Sequence, residues 1–177
     1  MNDGDGRSKR SRTDLERWFD KLLALHGPAL SRLASSYVRG SHEREDLLQE
    51  IAVAIWGALP RFRGESSERT FLFRIAHNRA IAYVAKRRIT TVDADEPLEI
   101  ADASPNPERT LSAEEEGQRL LRAIHQLPLS YAQVVTLTLE DMSYAEIAEV
   151  LGISETNVGA RLTRSRDMLR QLLRSPE

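Results

Sequence analysis

The sequence contains no cysteine, so neither a disulfide framework nor a thiolate metal site can form. This absence fits a reducing compartment, and we expect a cytoplasmic protein. Long apolar runs are missing too, because the longest, from Ile51 to Trp56, is far shorter than the roughly 20 residues that cross a membrane. Residues 1–12 lack the apolar stretch of a secretory signal, and we expect them to form a disordered tail.

Motifs for catalysis and metal binding are also missing. The four histidines are scattered along the chain, and His42-Glu43 is not followed by the second histidine of a zinc-binding helix. The sequence has no glycine-rich loop of the kind that cradles phosphates. We therefore predict no catalytic residue, no metal, no cofactor, and a protein that is not an enzyme on its own.

The C-terminal part carries the pattern of a helix-turn-helix, a motif that reads duplex DNA. Ser143 and Glu146 form a capping box that starts one amphipathic helix, and Gly152 ends it. Ser154 caps a second, arginine-rich helix. Its outward face presents the side chains that we predict to contact the major groove: Thr156, Asn157, Ala160, Arg161 and Arg164.

Charge favours DNA binding over the alternative of an ordinary helical bundle, which can contain the same helix pair. Residues 154–174 hold five arginines and two acidic residues, whereas the whole chain has a net charge of -2. Most non-specific DNA affinity comes from counterion release. A nearly neutral protein should therefore bind free DNA weakly, and we expect a partner to supply the remaining affinity.

An acidic linker, residues 90–107, divides the chain into two small helical domains, residues 13–89 and 108–177. The linker contains three prolines and five acidic residues and has no helical periodicity. No strand pattern or repeat competes with an all-α fold.

Capping residues and apolar spacing predict the helix bounds. In the first domain, a helix that starts at the Thr13–Glu16 capping box stops at Gly27-Pro28. Three more helices follow: one at 28–39, one that is capped by Ser41 and ends at Pro60, and one at 68–88. After the linker, helices at 108–126 and 130–140 precede the helix-turn-helix.

The chain resembles the extracytoplasmic-function sigma factors of bacterial RNA polymerase, in the sigma-70 family. The likeness covers most of residues 14–173 and rests on the order and spacing of DLLQEIAVAIWGALPRFRGESSERTFLFRIAHNRAIAYVAKRR, the acidic linker, LPLSYAQVVTLTLEDMSYAEIAEVLGIS and NVGARLTRSRDMLR. It implies that residues 13–89 are sigma region 2 and residues 108–177 are sigma region 4. The resemblance thus implies a promoter-recognition factor; the alternative is a helix-turn-helix regulator that acts without polymerase.

The resemblance implies that Asp46, Gln49 and Glu50 dock on the clamp helices of the largest polymerase subunit. Asp46 and Glu50 lie one helical turn apart beside Gln49, an acidic strip suited to arginines on a partner helix. The simpler interpretation, acids that serve only the helix dipole, suits Glu43 and Glu45 better. Region 4 is expected to contact the flap of the second-largest subunit and promoter DNA, and many relatives are held by an anti-sigma protein.

For the minus-ten element, the resemblance points to the loop at 64–70 and the helix after it, where a flipped base is bound. Ser66 and Ser67 either hydrogen-bond this base or cap the helix. The expected strand and phosphate contacts are Arg74, Asn78, Arg79, Lys86, Arg87 and Arg88.

The chain departs from the family pattern at four positions. Phe71 replaces a common tryptophan, and Ala82 replaces an acidic or amide residue that would contact DNA. Ala132 replaces a frequent arginine, and Gly159 replaces a frequent lysine in the recognition helix. We expect altered promoter preference, and a mid-helix glycine costs about 1 kcal/mol relative to alanine.

Overall fold

The computed structural model of the protein describes residues 11–91 and 111–174. The described residues form seven α-helices and one 3-10 turn and include no strand, as the all-α prediction requires: α1 Arg12–Tyr37, α2 Ser41–Ala58, the turn Leu59–Arg61, α3 Glu68–Thr91, α4 Leu111–Gln126, α5 Leu129–Leu139, α6 Tyr144–Leu151 and α7 Glu155–Arg174. The predicted tail and linker lie almost wholly outside the described residues.

Helix α1 corrects three predictions. It is one helix with Pro28 inside it, not two helices that meet at Gly27-Pro28, and it starts at Arg12, which we had placed in the tail. Its cap is Ser11 rather than the predicted Thr13, and the Ser11 side chain accepts the Asp14 N–H at 3.2 Å. An internal proline removes one helical hydrogen bond and costs about 3 kcal/mol. Buried leucines on both sides of Pro28 offset that cost.

Of the later caps, the one before α2 differs from the prediction by one residue and the one before α6 agrees with it. In α2 the N-cap is Gly40 rather than Ser41, and its N–H donates to the Glu43 carboxylate at 3.4 Å. Before α6, the Ser143 N–H donates to Glu146 at 2.8 Å, which confirms the capping box. Gly152 adopts φ 66°, a left-handed conformation that suits glycine, and so makes the predicted turn.

The two halves share one hydrophobic core. α3 packs against α1 and α2 within the first half, and its remaining side receives α6. Fully buried residues of the first half, such as Leu33 and Phe73, belong to the same cluster as Leu137 and Ile147 of the second half. A smaller cluster lies within the second half and includes Ala132, which is buried rather than exposed. The halves are therefore in direct contact.

Candidate nucleic-acid interface

The loop before α3 is held at its end by a serine cap. The Ser67 hydroxyl accepts the Thr70 N–H at 3.0 Å and lies 2.8 Å from the Thr70 hydroxyl. Ser67 therefore performs the capping role that the sequence left open between two serines. The half-buried Ser66 lies before the cap, which leaves its hydroxyl as the candidate for hydrogen bonding to a base.

An aromatic cluster anchors the same loop to α1. The Phe62 ring lies 5.6 Å from Trp18 and 4.6 Å from Phe71, measured between ring centroids. The Trp18 indole N–H also donates to Glu68 at 2.9 Å. Phe71 packs in this cluster, as expected for a residue in place of tryptophan. The loop is therefore fixed at both ends while its middle stays open to solvent.

The basic residues of α3 do not share one face. On the side toward α6, Arg74 pairs with Glu149 at 3.2 Å, and the exposed Asn78 lies one turn further along. On the side toward α2, Arg79 lies 3.9 Å from Glu50, and Arg87 forms an ion pair with Glu43. The side chain of Arg88 lies outside the described residues. Two flanks of one helix thus have different neighbours.

A groove of about 610 Å³ runs between α2 and α3. It brings together the three predicted polymerase-docking residues, but it also contains residues that we had assigned to DNA. The lining residues are Asp46, Gln49, Glu50, Val53, Arg79, Ala82, Tyr83 and Lys86.

The groove combines apolar, acidic and basic surface, with the carboxylates on α2 and the basic side chains on α3. The Val53 side chain is 72 % exposed at its edge. Partial burial raises the pKa of Tyr83, and the carboxylates of Asp46 and Glu50 raise it further. Sequence reasoning missed Val53, although an apolar residue on the polar face of a helix is a recognisable signal. The carboxylates and Val53 on the α2 side suit a partner helix that carries basic and apolar side chains.

The helix-turn-helix presents most of its predicted face to solvent. Thr156, Asn157, Ala160 and Arg164 are exposed, whereas the half-buried Arg161 donates from Nε to the Asn157 side-chain oxygen at 2.9 Å. The Ser154 hydroxyl accepts the Asn157 N–H at 3.2 Å, which confirms the predicted cap. This arrangement places the polar side chains of Thr156 and Asn157 and the exposed Arg164 on one surface of α7.

Tyr144 is a neighbour of the recognition helix that the sequence did not reveal. A Cβ added at Gly159 would lie 3.4 Å from Cε2 of Tyr144, so this ring lies within contact distance of the position that a side chain would take. The ring is 42 % exposed. Gly159, where the family often has lysine, thus lies next to an aromatic ring of α6.

Polar contacts join the two halves. Both guanidinium nitrogens Nε and Nη2 of Arg32 donate to the Glu140 carboxylate, at 2.6 and 2.7 Å, and Glu140 is only 6 % exposed. His125 Nε2 donates to the backbone oxygen of Ser35 at 2.7 Å, and burial lowers the pKa of this histidine. These partners are 108 and 90 residues apart in sequence, so no local pattern could have shown them.

A hydrogen-bonded pair links α1 to α3 inside the first half. The Tyr37 hydroxyl forms a hydrogen bond of 2.7 Å with Nδ1 of His77. Burial lowers the pKa of His77 to about 4 and raises the pKa of Tyr37, so both side chains are neutral near pH 7. Within the described part of the chain, no cluster of side chains could hold a metal ion. Among those same residues, no helix is long and apolar enough to span a membrane.

Comparison with known proteins identifies both halves. Residues 22–89 match the family described as Sigma-70 region 2, and residues 117–169 match Sigma-70, region 4. The chain is 30% identical to the RNA polymerase sigma factor NccH of Alcaligenes xylosoxydans xylosoxydans, over 90% of this chain and 88% of the relative. It is 32% identical to the ECF RNA polymerase sigma-E factor of Escherichia coli K12, over 87% of this chain and 85% of the relative.

A solved structure shows the same fold. It is the sigma factor RpoE of Bartonella quintana in complex with the anti-sigma factor NepR. The TM-score is 0.75 at 23% sequence identity, and the match covers 91% of this chain and 99% of the other.

Proposed function

The chain belongs to the extracytoplasmic-function sigma factors of the sigma-70 family, which serve RNA polymerase in transcription initiation, and we propose that its two halves divide promoter recognition between them. The first half docks on core RNA polymerase and opens the minus-ten element. The second half reads the minus-thirty-five element. The observation that carries this proposal is the convergence of Asp46, Gln49 and Glu50 in one groove, opposite the basic side of α3.

Docking takes place in the groove between α2 and α3. The acidic side chains of Asp46 and Glu50 meet basic groups on the clamp helices of the largest polymerase subunit. Val53 packs on apolar side chains of the same clamp helices. The Arg79–Glu50 contact is long, at 3.9 Å, and both side chains are more than 40% exposed. An exposed pair of this kind contributes at most about 1 kcal/mol, so a polymerase arginine can replace Arg79 at Glu50.

Strand opening takes place at the loop before α3 and along the flank with Arg74 and Asn78. Extruding a base costs a few kcal/mol, and hydrogen bonds to the extruded base offset this cost. Ser66 supplies such a hydroxyl, because Ser67 is occupied by the cap. Arg74 and Asn78 follow on the same helix to contact the single strand and its phosphates.

Duplex reading is the work of α7. Its first turns present Thr156, Asn157 and Ala160 toward the major groove, and Arg164 extends from the same side. Arg161 is positioned by Asn157, so these two side chains act together. The flap of the second-largest subunit holds this half on the polymerase.

An anti-sigma protein is a further proposed partner, supported by the RpoE–NepR complex. Because its proposed partners are promoter DNA and polymerase, the chain acts in the cytoplasm. It has no catalytic activity of its own. A rival function, a helix-turn-helix regulator that binds an operator without polymerase, leaves the groove of the first half without a role.

Reconstitution with core polymerase tests the proposal. The full chain should co-purify with bacterial core RNA polymerase and direct specific transcripts from a genomic library, whereas core alone should not. If the chain binds DNA sites by itself and leaves the transcripts of core polymerase unchanged, the regulator is correct and the sigma-factor roles are wrong.

A further inference from the structure

The recognition helix has no side chain of its own on one flank of the proposed DNA-reading face. Successive residues of an α-helix are turned by about 100°, so Arg161 and Gly159 lie on opposite flanks of a face centred on Ala160. Arg161 carries a guanidinium on one flank, whereas Gly159 carries no side chain on the other. The ring of Tyr144, from α6, lies beside that glycine.

We propose that the Tyr144 hydroxyl donates a hydrogen bond to a backbone phosphate of the minus-thirty-five duplex, on the flank that Gly159 leaves without a side chain. This inference rests on the proposed sigma-factor function. It adds a backbone contact from α6 beside the reading face of α7. The contact is neutral, unlike the one that a lysine at position 159 would make.

The Tyr144 ring approaches α7 with its hydroxyl end. A Cβ at Gly159 would lie 3.4 Å from Cε2 of the ring but 4.0 Å from Cδ2. Cε2 is bonded to the ring carbon that carries the hydroxyl, so the polar end of this ring edge is the nearer one. The side chain is 42 % exposed. Among the described residues, no group forms a hydrogen bond with this hydroxyl, which can therefore bind a ligand.

The dimensions of the major groove place this flank of α7 against a phosphate backbone. The groove is about 12 Å wide, and a helix with its side chains is about 10–12 Å across, so the flanks of an inserted helix face the two backbones. The first helix of a helix-turn-helix crosses one of those backbones. Tyr144 is the first residue of that helix here, on the flank opposite Arg161. Tyrosine hydroxyls are among the groups that contact phosphates and fix the orientation of a protein on the duplex.

A neutral phosphate contact differs from a basic one in its dependence on salt. Each lysine or arginine that pairs with a phosphate releases counterions, so affinity falls more steeply as the salt concentration rises. A tyrosine hydroxyl brings no positive charge and adds nothing to that slope. The affinity that Tyr144 contributes should therefore be the same at low and high salt.

Removal of one oxygen atom tests the contact. The full chain, bound to core polymerase, is titrated at several salt concentrations with a promoter duplex recovered from the genomic-library transcription. Tyr144→Phe should bind this duplex at least roughly fivefold more weakly, because a hydrogen bond to a charged group is lost, with an unchanged log-log salt slope. Tyr131→Phe is the matched control and should bind as the parent does, since Tyr131 packs on the smaller cluster of the same half. Parental affinity of Tyr144→Phe, or a lowered salt slope, would overturn the proposal.

Uncharged phosphates separate a direct contact from an effect of packing. Methylphosphonates are introduced one at a time along the minus-thirty-five element. At one position the parent should lose affinity while Tyr144→Phe loses less, because its hydrogen bond there is already absent. Equal losses of parent and variant at every position would mean that Tyr144 acts only through packing and would overturn the proposal. A parent chain that directs no specific transcripts would instead contradict the sigma-factor function.

Discussion

The two halves of the chain build their candidate sites in different ways. In the second half, one helix supplies the whole proposed DNA-reading face, and its cap and turn lie within a few residues of it. In the first half, a loop, α2 and two flanks of α3 each supply part of the surface. A site on one helix is visible in local spacing, whereas a site shared by several elements depends on their packing. The predictions below test this contrast.

The strongest test reverses the two acidic charges in the groove of the first half and leaves the second half unchanged. The double variant Asp46→Lys, Glu50→Lys should lose affinity for core polymerase by at least roughly 100-fold, since hydrogen bonds to charged groups contribute about 1.5–3 kcal/mol each. Glu45→Lys, on the same helix but outside the groove, is the control. Pull-down affinity unchanged in a variant of normal helicity would move the docking surface elsewhere.

The core of the first half should also respond to pH through His77. Its folded pKa of about 4 lies below the unfolded value of 6.5, so this contribution to stability is complete above pH 6.5 and disappears as the pH falls through 4. At about 1.4 kcal/mol per pKa unit, the loss amounts to about 3 kcal/mol.

Denaturation curves at pH 7 and pH 4.5 measure this loss. Tryptophan fluorescence reports the first half alone, because both tryptophans, Trp18 and Trp56, lie there. His77→Gln keeps a hydrogen-bonding partner for the Tyr37 hydroxyl and does not titrate. The parent should lose more stability than this variant, and identical pH slopes would refute the assignment to His77.

For the second half, Arg164 tests whether one helix face is sufficient. If Arg164 contacts a phosphate, Arg164→Ala should weaken binding to all promoters and lower the log-log salt slope by about one. If it reads a base, discrimination of about 1–3 kcal/mol at one position should disappear. Arg166→Ala, exposed on the opposite side of α7, should change neither quantity. No effect of Arg164→Ala would mean that another face docks.

Variants of the two loop serines should affect either base binding or stability of the first half, but not both. Ser67→Ala should lower stability by about 1 kcal/mol through loss of the cap and leave strand opening intact. Ser66→Leu should do the reverse, with suppressed permanganate reactivity of minus-ten thymines and unchanged stability. Parental reactivity in Ser66→Leu would place the flipped base elsewhere, with the Asn78 face as the next candidate.

The smallest effect concerns the recognition helix. Gly159→Ala should stabilise the chain by up to about 1 kcal/mol, because alanine favours a helix and its Cβ would meet Tyr144 at an ordinary contact distance of 3.4 Å. Gly152→Ala, at φ 66°, should instead destabilise it. Thermal denaturation gives both signs, and a loss of stability in Gly159→Ala would show that the Tyr144 ring cannot shift.

Local signals explain what the sequence predicted correctly. The Ser143–Glu146 capping box, the Gly152 turn and the Ser154 cap are all confirmed. The internal proline misled us at Pro28, because apolar spacing on both sides outweighs one lost hydrogen bond. The contacts between the halves were missed altogether, since ion pairs between distant residues leave no periodic pattern.

Pro28 gives α1 a mechanical role. Beyond it, α1 carries Arg32 and Ser35, which hold the second half; before it, Trp18 secures the loop that precedes α3. A proline lacks the N–H that would bond to the carbonyl one turn earlier, so α1 is least rigid at this point. We therefore expect a displacement of the C-terminal end of α1 to bend the helix at Pro28 and to leave the loop before α3 in place.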